Sequence, residues 1–145
     1  MIPFLDLGAA YRELKPEIDA AVARVLESGW YILGPEVESF EGQWAQFCKA
    51  QHCVGLGNGL DALTLALRAL DIGEGDEVIV PSNTYIATWL AVSNVGAVPV
   101  PVEPDPATHN IDPARIEAAL TARTKAILPV HLYGQPADLD PILRL

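Results

Sequence analysis

The stretch Val54-Gly55-Leu56-Gly57-Asn58-Gly59-Leu60-Asp61-Ala62-Leu63, running on to Leu70, constrains this chain more than any other. It reads as a short apolar strand ending at Leu56, a glycine-rich turn, and an apolar helix that starts near Leu60. The first turn of a helix leaves backbone N–H groups without intrahelical partners, and the macrodipole adds partial positive charge there. Glycines let an anion come close, so such a turn can hold a phosphate without a basic residue. The alternative is a tight turn that binds nothing, and these residues alone do not choose between the two.

Two other phosphate patterns fail here. A dinucleotide fingerprint needs G-x-G-x-x-G and an acid at the end of the next strand. Gly55 and Gly57 fit, but the third glycine position holds Leu60, and Glu77-Val78-Ile79-Val80 ends in Pro81-Ser82. A Walker loop would need a Lys-Ser/Thr pair after the glycines, and none follows.

The 145 residues, half of them apolar, suit one globular domain or part of a larger one. Nine basic residues, scattered singly, stand against 19 acidic ones, for a net charge of −10. That argues against nucleic-acid binding, and it means local amides or a partner's basic residues must attract any phosphorylated ligand. Cys48 and Cys53 are too few and wrongly spaced for zinc, so no metal site is expected; they read as buried or partly buried thiols in a reducing cytosol. Met1-Ile2-Pro3 lacks the basic start of a secretory signal, and no apolar run is long enough to span a bilayer, so a cytoplasmic protein without a membrane partner is expected.

Residues 1–52 read as an amino-terminal arm and helices. Phe4-Leu5-Asp6-Leu7 is a short apolar arm, and Glu13 to Ser28 a helix stopped by Gly29. Trp30-Tyr31-Ile32-Leu33-Gly34 is a connector apolar enough to pack against something, such as another subunit. A second helix opens at Pro35, and its Val37, Phe40, Trp44 and Phe47 fall at core spacing. Residues 53–145 alternate strand and helix. The helix from Leu60 to Leu70 is apolar nearly all round, which predicts burial on most sides. Strand Glu77–Val80, a helix from Tyr85 to Val95, strand Val98–Val102, a helix from Pro113 to Leu120, strand Lys125–Val130 and a helix beginning at Asp138 follow. That order predicts an α/β fold with a parallel sheet. Pro99 and Pro101, two apart, remove donors from one side of their strand and predict a sheet edge.

Ligands of parallel sheets bind beyond the strands' carboxyl ends. Those ends are Gly57-Asn58-Gly59, Pro81-Ser82-Asn83-Thr84-Tyr85, Glu103-Pro104-Asp105 and Val130-His131-Leu132-Tyr133-Gly134-Gln135. Gly59, Leu60 and Asp61 would offer N–H groups to a phosphate. Asn58 and Asp61 are spaced like a capping box, with the Asp61 side chain turned back to the Asn58 N–H. Tyr85 either stacks on a planar ligand or packs. His131 either contacts a ligand, acts as acid or base, or is a hydrogen-bonded structural residue. His52 and His109 show no partners and read as surface residues, and Lys125 as a solvated strand start. No paired carboxylates or nucleophilic triad appear.

The chain resembles the DegT/DnrJ/StrS family of pyridoxal-phosphate sugar aminotransferases over essentially its whole length. The matching stretches are Trp30-Tyr31-Ile32-Leu33-Gly34-Pro35-Glu36-Val37, Gly57-Asn58-Gly59-Leu60-Asp61-Ala62-Leu63, Gly75-Asp76-Glu77-Val78-Ile79-Val80-Pro81, Thr84-Tyr85-Ile86-Ala87-Thr88, Asn110-Ile111-Asp112-Pro113, and Thr124 through Gln135. The resemblance implies the large domain of the aspartate-aminotransferase fold (fold type I), in a homodimer with active sites at the interface. It implies pyridoxal 5'-phosphate as cofactor, with its phosphate held at Gly59, Leu60 and Asp61 and its ring under Tyr85. It places Tyr31 near the sugar site, where Asn83 and His131 are further candidate substrate contacts. The family moves an amino group from glutamate to a nucleotide-linked keto-sugar, with an active-site lysine carrying the cofactor as a Schiff base. Lysines occur here only at 15, 49 and 125, none in the family's lysine motif, so no catalytic residue is expected within the chain. Asp140 to Leu145 enters a helix and stops without a cap, which reads as an amino-terminal fragment, inactive by itself. Alternatives for the intact protein are a sugar dehydratase of the same fold and a non-catalytic sensor or regulatory relative.

Overall fold

The computed structural model describes residues 4–145; the reading of Met1-Ile2-Pro3 lies outside them. The chain forms two compact units, one running to Gly55 and the other Leu56–Leu145.

The first unit holds helices α1 (Leu7–Glu13), α2 (Lys15–Ser28) and α3 (Pro35–Cys48). The single helix expected from Glu13 to Ser28, preceded by an arm, is thus two helices. Asp6 caps α1 by accepting from the Gly8 N–H at 3.0 Å, which starts helix at Leu7, well before the expected Glu13. Pro16 then forbids a continuous helix, because its ring would strike the preceding turn; the chain breaks at Leu14 and restarts with proline in the first turn. Gly29, left-handed at φ 66, ends α2. Pro35 opens α3, with Glu36 and Glu38 in its favourable first turn. Phe40, Trp44 and Phe47 do share a face, but they are exposed rather than core. They stack on one another along the helix, with ring centroids 5.9 and 5.4 Å apart. Cys48 is exposed, not buried, and Cys53 is half-buried.

In the second unit, strands β1 (Glu77–Pro81), β2 (Val98–Val102) and β3 (Thr124–Ile127) form a parallel sheet ordered β2-β1-β3. The edge position expected of β2 is observed. The Val98 N–H donates to the Asp76 carbonyl, so alternate donors face β1 and the two prolines turn their donorless sides outward. The strand expected at Val54–Leu56 is absent, because it has no ladder partner among the described residues. β3 ends at Ile127 rather than at Val130; the Leu128 N–H still bonds to the Ile79 carbonyl, and then the chain leaves the sheet.

Because side chains alternate along β1, its residues feed two cores. Val78 and Val80 pack with Leu67, Ile72, Ala91 and Val92 beneath helices α4 (Gly59–Ala69) and α5 (Ile86–Asn94). Ile79 packs on the opposite face with Val102, Ile111, Ile116, Ala137 and Ile142, under α6 (Pro113–Ile116) and α7 (Leu139–Ile142). The helix expected from Pro113 to Leu120 is this short α6 followed by a 3-10 turn, Glu117–Ala119. Helix α4 corrects a further expectation. Leu67 is its one buried residue, and Leu65 stays exposed, so one face packs rather than most.

At the amino end of the sheet, away from the strand ends that bind ligands in such folds, Glu77 is buried. Its carboxylate accepts from the Thr121 hydroxyl at 2.5 Å and from Arg123 Nε at 2.9 Å. The Thr121 bond first, then the Arg123 bond, hold its carboxyl below the ordinary carboxylate range. A carboxyl depressed on folding stabilises at neutral pH, and that contribution disappears as pH falls through its folded-state value. The stability gap between the intact protein and its Glu77→Gln variant should therefore hold from neutrality down to about pH 4 and narrow as the pH falls below that. Urea denaturation across that range measures it.

Candidate functional site

Asn58 sets up the start of α4. Its Oδ1 accepts from the Asp61 N–H at 2.9 Å, and its carbonyl accepts from Ala62. Among the described residues, nothing accepts from the Gly59 or Leu60 N–H. These are the unsatisfied donors that a helix start presents. Asp61 departs from expectation in two ways. Its N–H is already engaged by the cap, and its carboxylate accepts from the Asn58 side-chain amide at 2.8 Å rather than from the Asn58 backbone. That carboxylate borders a separate hollow of ≈ 460 Å³ with Gly57, Thr64 and Arg68.

Gly59 and Leu60 line an open cleft of ≈ 770 Å³ between α4 and α5, together with Asn58, Leu63, Tyr85 and Thr88. Tyr85 is the residue before α5 and is 77% exposed, so packing does not account for it. Thr84 and Thr88 join hydroxyls at 2.8 Å across the first turn of α5, and Trp89 Nε1 donates to the Pro81 carbonyl at 3.2 Å. These bonds fix the turn that carries Tyr85. The cleft thus combines unpartnered amides at one point with an exposed aromatic ring at another. Its size suits a drug-sized or cofactor-sized molecule. An added Cβ at Gly59 would meet nothing within 4 Å, so the space before the helix is open to an anion.

The other candidates are placed differently. Asn83 is exposed, and its amide donates to the His109 carbonyl at 2.9 Å. His131 is exposed, and its Nδ1 accepts from the Ala137 N–H at 3.0 Å, which bridges its own loop. Tyr31 belongs to the first unit, where it lines a pocket of ≈ 230 Å³ with Arg24, Trp30 and Pro35. His109 has a partner after all: its ring meets Tyr133 edge to face. Lys125 is exposed. Among the described residues, no cluster of three or more His, Cys, Asp or Glu could hold a metal, and no helix is long and apolar enough to cross a membrane.

Asn110 carries no signal of its own in the sequence. It is buried, donates from Nδ2 to the Gln135 carbonyl at 3.0 Å and accepts at Oδ1 from the Leu132 N–H at 2.9 Å. Both bonds reach more than 20 residues away in sequence, so only its place before the Asp112 cap and Pro113 could have flagged it. Asn110→Ala would strand a donor and an acceptor, at about 1–3 kcal/mol each. Asn110→Asp keeps the acceptor for Leu132 but sets a buried carboxylate against the Gln135 carbonyl, so near neutrality it should cost at least as much as Asn110→Ala. Urea melts of the two variants in the intact protein give the comparison.

The family model described as the DegT/DnrJ/EryC1/StrS aminotransferase family matches residues 12–145. The erythromycin biosynthesis sensory transduction protein EryC1 of Saccharopolyspora erythraea is 64% identical over 97% of this chain and 38% of its own length. The dTDP-3-amino-3,4,6-trideoxy-alpha-D-glucose transaminase of Streptomyces venezuelae is 62% identical over 99% of this chain and 38% of its own. The crystal structure of S. venezuelae DesV in complex with a ketimine intermediate superposes with a TM-score of 0.95 at 62% identity, over 99% of this chain and 38% of that one. Other matched structures include the sugar aminotransferase Spr1654 of Streptococcus pneumoniae in PLP and PMP forms. The chain therefore spans 38% of the length of these first relatives.

Proposed function

Because this chain belongs to the DegT/DnrJ/EryC1/StrS aminotransferase family, we propose that the intact protein is a pyridoxal-phosphate-dependent aminotransferase. Its substrate in this reading is a nucleotide-linked keto-sugar, with glutamate as amino donor. The observation that carries the reading is the shared cleft of Gly59, Leu60 and Tyr85. The unpartnered Gly59 and Leu60 amides would receive the cofactor phosphate, with the α4 dipole behind them. Tyr85 would cover the heterocycle, a stacking contact of about 1 kcal/mol beyond its buried area. Asn58 serves by holding Asp61 away: its amide binds the Asp61 carboxylate, which keeps that charge out of the cleft. Once bound, the cofactor supplies an electron sink for amino transfer.

In the same reading, residues 53–145 are the first part of the cofactor-binding large domain and residues 1–52 its arm and helices. The protein is a cytoplasmic homodimer, the Schiff-base lysine comes from outside this chain, and the chain by itself does not transaminate. Tyr31, Asn83 and His131 are its substrate-side candidates, although the Asn83 and His131 bonds described above are structural ones.

The description of the S. erythraea relative supports a second reading, a sensory protein that binds the cofactor without turnover. Incubation of the intact protein with pyridoxal phosphate, glutamate and a dTDP-linked keto-sugar separates the two. The proposed function expects yellow protein and an aminated sugar nucleotide by mass spectrometry. Yellow protein without amine would favour the sensory reading, and colourless protein that ignores added cofactor would remove both.

A further inference from the structure

Two loops at the carboxyl end of the sheet hold bulky residues in the left-handed region, His109 at φ 60 and Tyr133 at φ 56. A side chain there costs free energy that glycine avoids, and such residues persist only where their surroundings over-determine them. Both are over-determined here. The His109 N–H donates to the Asp105 carbonyl at 2.8 Å, and its own carbonyl accepts from Asn83. Tyr133 sits between the two anchors of Asn110, Leu132 and Gln135. The His109 and Tyr133 rings meet at 89°, with centroids 5.9 Å apart.

Burial does not explain Tyr133, which is 82% exposed. A strained, braced and exposed aromatic at the ligand-binding end of a parallel sheet is placed to meet a ligand. Asn83, which binds the His109 carbonyl, lies two residues before Tyr85. The Tyr133–His109 pair therefore adjoins the turn that carries Tyr85.

We infer that Tyr133 is a specificity-determining contact for the sugar ring of the nucleotide-linked substrate. The ring face covers the sugar's C–H surface, and the phenol is a hydrogen-bonding partner for a sugar hydroxyl. Asn110 and Asn83 hold the pair in place. This rests on the function proposed above.

The test uses the intact protein with dTDP-glucose and dTDP as calorimetric probes. Tyr133→Gly suits the local φ, so its thermal midpoint should match or exceed that of the wild type. Its Kd for dTDP-glucose should rise about 10-fold or more, while that for dTDP alone should stay within about 2-fold. Tyr133→Phe should fall between the wild type and the glycine variant. Unchanged dTDP-glucose binding in Tyr133→Gly, equal weakening for both probes, or no dTDP-glucose binding by the wild type would each overturn the inference. Amine formation is scored separately. Amine made with unaltered Tyr133→Gly binding sinks this inference alone, whereas the expected binding pattern without amine sinks the proposed function alone.

Discussion

Replacing Gly59 with aspartate should strip the cofactor from the intact protein and leave its fold standing. The two effects have opposite signs because one structural feature produces both. Gly59 is the first residue of α4, its φ is not left-handed, and an added Cβ meets nothing within 4 Å. A carboxylate in the first turn complements the helix dipole, worth about 0.3–1 kcal/mol of added stability. The same carboxylate would face the phosphate proposed to sit on the Gly59 and Leu60 amides. At about 5 Å and an effective dielectric near 20, the repulsion is about 3 kcal/mol per unit of phosphate charge. A loss of roughly 100-fold or more in pyridoxal-phosphate affinity follows. Gly59→Ala is the control: it keeps the N–H, adds a methyl in open space, and should lose far less. Absorbance titration with pyridoxal phosphate gives the affinities, and a thermal melt of cofactor-free protein gives the fold. Equal affinity in Gly59→Asp and wild type would remove the phosphate from this turn.

The largest effect on the fold is expected at Ile79. It is fully buried at the centre of the middle strand and is β1's contribution to the core under α6 and α7. Ile79→Ala loses transfer free energy and leaves a cavity between sheet and helices, about 2–5 kcal/mol in all. That is a large share of the 5–15 kcal/mol by which a domain is stable. Val100 contributes to the same core from the edge strand but is only half-buried, so Val100→Ala should cost distinctly less. The loss should also be local: hydrogen exchange should quicken first in α6, α7 and the Asn110 region, which share that core, and less in α4 and α5. Denaturant melts of both variants in the intact protein give the ranking, and the reverse order would contradict this division of the core.

What was legible in the sequence was whatever depends on local chemistry. The α4 start, its Asn58 cap, the Gly29 stop, the Pro35 opening and the edge position of β2 follow from residue types that admit few conformations. So does the turn that carries Tyr85, which follows the end of β1; Gly59 lines the same cleft although the strand expected before it is absent. What failed was whatever depends on a neighbour. The Val54–Leu56 strand has the right pattern and no partner to pair with. Phe40, Trp44 and Phe47 have core spacing, but that face is uncovered. The Asp61 carboxylate takes the Asn58 side-chain amide rather than its backbone N–H, because spacing gives the reach of a side chain but not which of two donors on Asn58 it meets. Asn110 and Glu77 were invisible for the same reason, since their partners are set by the fold and not by adjacent sequence.

The most direct measurement is a crystal structure of the intact protein with pyridoxal phosphate bound. The prediction is phosphate oxygens within about 3 Å of the Gly59 and Leu60 nitrogens. The Tyr85 ring should lie over the pyridine, with centroids about 4.5–7 Å apart. A cofactor bound with its phosphate elsewhere, or with Tyr85 turned from its ring, would contradict the account.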